Sequence, residues 1–116
     1  MTEITYIGKP ITRDTLKAIA MQGFGDMVKG VIDLEKESIA LGGELHADEE
    51  AFLLTQGSKQ ENLWGINLYP DLVMPDMLEF DSMINIRPSK NNASRSVEDP
   101  AIREKITTLV NKLILN

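Results

Sequence analysis

Apolar and polar residues alternate with period two in several short runs and recur every three or four residues in others, so the chain mixes strands and helices. Glu3-Ile4-Thr5-Tyr6-Ile7 alternates with β-branched and aromatic types and predicts a strand stopped by Gly8 and Pro10. Thr12 is placed as a helix N-cap, with Asp14 in the electropositive first turn, Leu16, Ile19 and Ala20 at helical spacing, and Gly23 and Gly25 closing the segment. Met27 to Leu34 and Ser38 to Leu41 predict a hairpin around Glu35-Lys36-Glu37, a turn without the Asn-Gly signal of a tight loop. Glu44-Leu45-His46 reads as an extension of the second strand. Asp48 then caps a helix through Phe52, Leu53 and Leu54 that Gly57 ends. Residues 63–69 alternate again up to Pro70. Residues 78–87 give the longest strand pattern, with Leu78, Phe80, Ser82, Ile84 and Ile86 on one face and Glu79, Asp81, Met83, Asn85 and Arg87 on the other. Asp99 and Pro100 open a last helix whose stripe is Ile102, Ile106, Leu109, Val110, Leu113 and Ile114.

Strands and helices in irregular order, with hairpins, predict an α+β fold. We expect a single domain over residues 1–116: a largely antiparallel sheet of about five strands with about three helices packed mainly on one face. Val28, Ile32, Ile39, Leu41, Trp64, Ile66, Leu68, Phe80, Ile84 and Ile86 would face the helices. The other face would carry Glu44, His46, Asn67, Asp81, Asn85 and Arg87, with Gly65 opening space among them. A solvated face accounts for such alternation. However, Asn and Asp are poor strand formers, and local violations of propensity gather at functional sites and polar networks.

Composition narrows the chemistry. A length of 116 residues allows one domain, and the absence of Cys excludes disulfides, Cys nucleophiles and Cys-ligated metals. The net charge of -6 argues against a general nucleic-acid coat. The first residues show no basic-then-apolar leader, and no run approaches the ~18 apolar residues of a bilayer span. The expectation is therefore a cytoplasmic protein without a membrane partner. Charge is also unevenly spread: residues 33–50 hold seven acids and one Lys, whereas residues 82–97 hold three cations and no acid.

Two segments offer chemistry. His46 is the only His, and with Glu44 it supplies candidate acid/base groups near neutrality. An acid-rich helix start alone accounts for Asp48, Glu49 and Glu50. Arg87 and Arg95 suit a phosphate or carboxylate, with Asn85, Asn67, Asp81 and Asn92 as further ligand-binding candidates. A solvated loop whose Arg pair with the acids is the plain alternative. No phosphate-cradling Gly-rich loop or cofactor motif is present; one His without Cys argues against a zinc site, and the carboxylates of residues 44–50 offer only a weak Mg²⁺ or Ca²⁺ set. A lone Trp64 suits the core better than a ligand platform. The leading reading is a binding site, with catalysis as its stronger form, for a small anionic ligand. The alternatives are a non-enzymatic interaction module or homodimer and, against the few aromatics, a small RNA-cleaving enzyme.

The segments Glu44 to Glu50, Gln56-Gly57-Ser58-Lys59-Gln60, Leu63-Trp64-Gly65-Ile66-Asn67 and Phe80 to Pro88, followed by Ser94-Arg95 and Val97-Glu98-Asp99, resemble a small uncharacterised prokaryotic family, catalogued as a domain of unknown function. The resemblance spans nearly the whole chain. It implies a cytosolic bacterial-type protein and carries no catalytic assignment.

Overall fold

The computed structural model describes residues 3–116. A five-stranded antiparallel sheet runs in the order β1-β4-β3-β5-β6, built from β1 (Thr5–Ile7), β3 (Val28–Asp33), β4 (Ser38–Leu41), β5 (Leu63–Leu68) and β6 (Leu78–Glu79). A second, parallel pair joins β2 (Ile11–Thr12) to β7 (Ile114–Leu115), tying the start of α1 (Arg13–Met21) to the end of α3 (Pro100–Leu113). The remaining helix is α2 (His46–Thr55). The fold is α+β with three helices, as the alternation predicts.

Period two divides the sheet into two faces. Val28, Ile32, Ile39, Leu41, Trp64, Ile66 and Leu68 project to one side and pack with Leu16 and Ala20 of α1 and Ile106, Leu109, Val110 and Leu113 of α3. Each large side chain so buried contributes about 1.5–3 kcal/mol, so this face dominates folding. The other face is smaller: Val31, Ala40 and Leu63 meet Leu53 of α2, with Phe52, Ile4 and Ile84 at its margin. The sheet is therefore covered on both sides, by two helices on one and by α2 with a 3-10 turn on the other.

The starts of α1 and α3 are capped as the residue types dictate. The Thr12 side chain accepts from the Thr15 N–H, and the Asp99 side chain accepts from the Ala101 N–H. The β3–β4 hairpin closes without Asn-Gly because Asp33 Oδ1 accepts from the N–H groups of Glu35 and Lys36 at 2.9 and 3.0 Å, while Glu37 takes the left-handed φ of 53°. Ser58 Oγ donates to the other Asp33 oxygen at 2.6 Å, so this buried carboxylate is well paired.

Two sequence expectations fail. Residues 44–46 are not a strand: α2 starts at His46, with Leu45 as its N-cap and Asp48 exposed in its first turn, so Glu44 and His46 share no sheet face. Residues 78–87 form a strand only over Leu78–Glu79. Beyond it, the Ser82 side chain accepts from the Ile84 N–H and starts a 3-10 turn over Met83–Asn85. Period-two alternation imitates a strand here, but Ser82 and Asn85 offer side-chain bonds that displace the ladder. Phe80 still packs against the main core, whereas Ile84 joins the second cluster and Ile86 is exposed.

Gly65 lets this turn lie on β5. A Cβ there would overlap the Ser82 side chain and sit 3.1 Å from Ile84 Cγ1. The space that Gly65 opens is filled from within the chain. Gly65→Ala is expected to cost about 2 kcal/mol, in the range of core overpacking, as a lowered urea midpoint. An unchanged midpoint would contradict this packing.

Candidate functional site

The segment from Asp81 to Glu98 is held by side chains in place of a strand ladder. Asn85 is fully buried, and its carboxamide accepts from the Gly65 N–H at 2.8 Å and donates to the Gly65 carbonyl at 3.0 Å. It thus presents to β5 what a neighbouring strand would present, and it also donates to the Arg95 carbonyl at 3.0 Å. Asn92, also buried, donates to the carbonyls of Asn85, Ser94 and Ser96 and accepts from the Glu98 N–H. Arg87 lies inside the segment. Its guanidinium donates to the carbonyls of Ile84, Gln60 and Leu63, stacks over Trp64 at 4.9 Å, and comes within 3.9 Å of the Glu50 carboxylate. Burial lowers its pKa, which the Glu50 charge partly counters.

Three of the anion-binding candidates thus serve the scaffold, with most donors engaged inside the chain. Arg95 differs. Its Nε donates to Asp81 Oδ1 at 2.6 Å, the side chain is about half exposed, and its two terminal nitrogens make no bond among the described residues.

Next to Asp81 lies Asn67, which donates to the Glu79 carboxylate at 2.8 Å and to the Asp81 carbonyl at 3.2 Å. Its Oδ1 is buried without a partner. His46, at the start of α2, reaches down to the Ile66 carbonyl at 2.8 Å through Nε2. A carbonyl only accepts, so Nε2 carries the proton and Nδ1 remains an acceptor. Burial lowers the pKa of His46 most strongly. The Ile66 carbonyl counters this, Lys29 adds to it, and Asn67 and Asp81 counter it further. The ring is neutral near pH 7. Tyr69 donates to Glu79 at 3.0 Å, and burial and then the Glu79 carboxylate raise its pKa.

The structure therefore gathers His46, Asn67, Asp81 and Arg95 on the second face of the sheet, with Lys29 close enough to act on His46. It sets Asn85, Arg87 and Asn92 into the supporting segment. Glu44 is exposed and makes no side-chain bond among the described residues. Sequence reasoning missed Glu49, which the acidic helix start absorbed. Glu49 Oε2 accepts from the Gly43 N–H at 2.9 Å, and Oε1 is buried without a partner. Burial pushes its pKa up to about 9, with the Gly43 bond and Lys29 opposing and Asp48 assisting. The signal was spacing: His46, Glu49 and Leu53 fall at i, i+3 and i+7, the buried stripe of α2.

These features define a small α+β protein whose longest irregular segment is knitted to its sheet by Asn and Arg side chains. Residues 5–113 match the family described as "Protein of unknown function (DUF5674)", and the chain belongs to that family. No curated protein and no solved structure matches it. No helix among the described residues is long and apolar enough to cross a membrane.

Glu49 yields a signed pH prediction. Its folded pKa lies above its unfolded value of 4.5, so its contribution to stability is present below pH 4.5 and declines as pH rises toward 9. Glu49→Gln keeps an acceptor for Gly43 and cannot ionise. It is expected to stabilise the protein by at least about 1 kcal/mol at pH 8 and to have little effect at pH 4.5, read as thermal midpoints. Equal destabilisation at both pH values would contradict the assignment.

Proposed function

We propose that the chain binds a small anionic ligand on the second face of the sheet, where His46, Asn67, Asp81 and Arg95 meet. The observation that carries this reading is a set of hydrogen-bonding groups without partners in one place. The terminal nitrogens of Arg95 seek acceptors, while the neutral His46 ring and the neighbouring buried Asn67 Oδ1 lie against each other as two acceptors that a ligand donor would bridge. A matching ligand joins an anionic group to a hydroxyl or N–H: a hydroxylated phosphate or carboxylate. Asn85 and Ser82 both hold the Arg95 carbonyl, at 3.0 Å each, so Asn85 acts as a positioning residue. Arg87 and Asn92 do so at one remove, by fixing the turn that carries Asn85.

A catalytic form of the reading gives neutral His46 the base role at Nδ1, with the Ile66 carbonyl fixing its tautomer. Glu44 makes no bond to the ring, so orientation of His46 does not depend on it. The reading takes the protein as cytoplasmic, in keeping with a chain without Cys.

Glycerol phosphate, titrated into the isotope-labelled protein, is the probe. Saturable shifts are expected at the Arg95 Nε–H, the Asn67 side-chain amide and the His46 ring. Arg95→Gln, at an exposed position, is expected to weaken binding at least about tenfold, equivalent to ~1.4 kcal/mol. Non-saturating shifts, or affinity unchanged in Arg95→Gln, would overturn the proposal.

A further inference from the structure

A second concavity lies at the β6 edge of the sheet, adjoining the Arg95 patch through the Asn67–Glu79 hydrogen bond. It is a groove of about 860 Å³ between β6, α3 and the loop that precedes β6. Met74, Leu78 and Phe80 supply apolar surface, and half-exposed Leu72 adds an apolar wall. Its charge is unbalanced. The Asp76 carboxylate makes no ion pair or hydrogen bond among the described residues, and Glu79 is bonded only by the neutral donors Asn67 and Tyr69. The one cation of the groove, Arg103, lies on the Phe80 ring at 4.5 Å and pairs with neither acid.

The backbone is unbalanced too. β6 is the last strand of the sheet, with only β5 beside it, and the N–H and C=O of Phe80 make no hydrogen bond among the described residues. An edge strand next to an apolar groove is the arrangement that extended peptides recognise, with main-chain bonds giving affinity and alternate side chains giving specificity. A second copy of this chain fits poorly: with a net charge of -6, it would bring acid against acid across a two-fold axis.

We propose that this groove binds an extended peptide segment of alternating apolar and basic residues, laid along β6 and Phe80. Its apolar side chains rest on Met74, Leu78 and Phe80. Its Lys or Arg side chains take up the charge of Asp76 and Glu79, and its backbone pairs with Phe80.

A six-residue peptide of alternating leucine and lysine, capped at both ends, tests this on the full chain by amide-resolved NMR titration. Saturable shifts are expected at Leu78, Glu79 and Phe80, with slowed amide exchange at Phe80. Asp76→Asn, at an exposed side chain without partners, is expected to weaken binding about fivefold, and Arg103→Gln to strengthen it. Glu61→Gln, an exposed acid outside the groove, is expected to change nothing. The proposal is overturned by equal binding of a leucine–glutamate peptide, or by the same saturable shifts with butylamine alone, which would mark a site for small amines. It is equally overturned by loss of affinity in Glu61→Gln as large as in Asp76→Asn, or by a doubling of mass in light scattering without peptide.

Discussion

β5 is a central strand without a full neighbour. β3 pairs with all six of its residues, whereas β6 pairs only with Asn67 and Leu68. A buried backbone N–H or C=O left unpaired costs about 1–3 kcal/mol, so the rest of that edge must find partners within the chain. The Asn85 carboxamide meets the need at Gly65, offering one acceptor and one donor from a single side chain. The irregular segment from Asp81 to Glu98 follows from this substitution. Asn85 reaches Gly65 only from the Met83–Asn85 turn, the turn lies against β5 only because residue 65 lacks a Cβ, and Asn92 and Arg87 hold the turn and the following loop in place.

The two faces of the sheet consequently differ in kind. One is a conventional apolar interface with α1 and α3. The other is partly polar, closed by α2 and the 81–98 segment, and contains two ionisable groups held neutral by burial, His46 and Glu49. Their linkages oppose each other. The depressed pKa of His46 gives stability that is present above its unfolded value of 6.5 and lost as pH falls below it. The raised pKa of Glu49 removes stability as pH rises above 4.5. Below pH 6.5 the two linkages therefore act in opposite directions, and above pH 6.5 the loss from Glu49 alone continues toward 9.

The apolar face was legible in the alternation of β3, β4 and β5, and the helix starts in Thr12, Asp99 and Pro100, because these signals are local. The failures came where a side chain replaces a backbone partner. Residues 78–87 alternate like a strand, and nothing in the spacing distinguishes an Asn facing solvent from one that caps a strand edge. The low strand propensity of Asn85 and Asp81 did mark a polar network in that region. The same limit governs the site. Arg87 and Arg95 are alike as letters, but one is enclosed by three carbonyls and the other extends from Asp81 into solvent. Glu49 was hidden among acids that suit any helix start, and only its position on the buried stripe set it apart.

Native-state hydrogen exchange at the Gly65 amide tests the central claim, that a side chain stands in for a strand. If Asn85 holds this N–H, it is protected as strongly as the ladder amides of β5 in the wild type, and Asn85→Ala selectively abolishes that protection while the β3–β5 ladder keeps its own. A Gly65 amide that exchanges freely in the wild type, or one still protected in Asn85→Ala, would contradict the account.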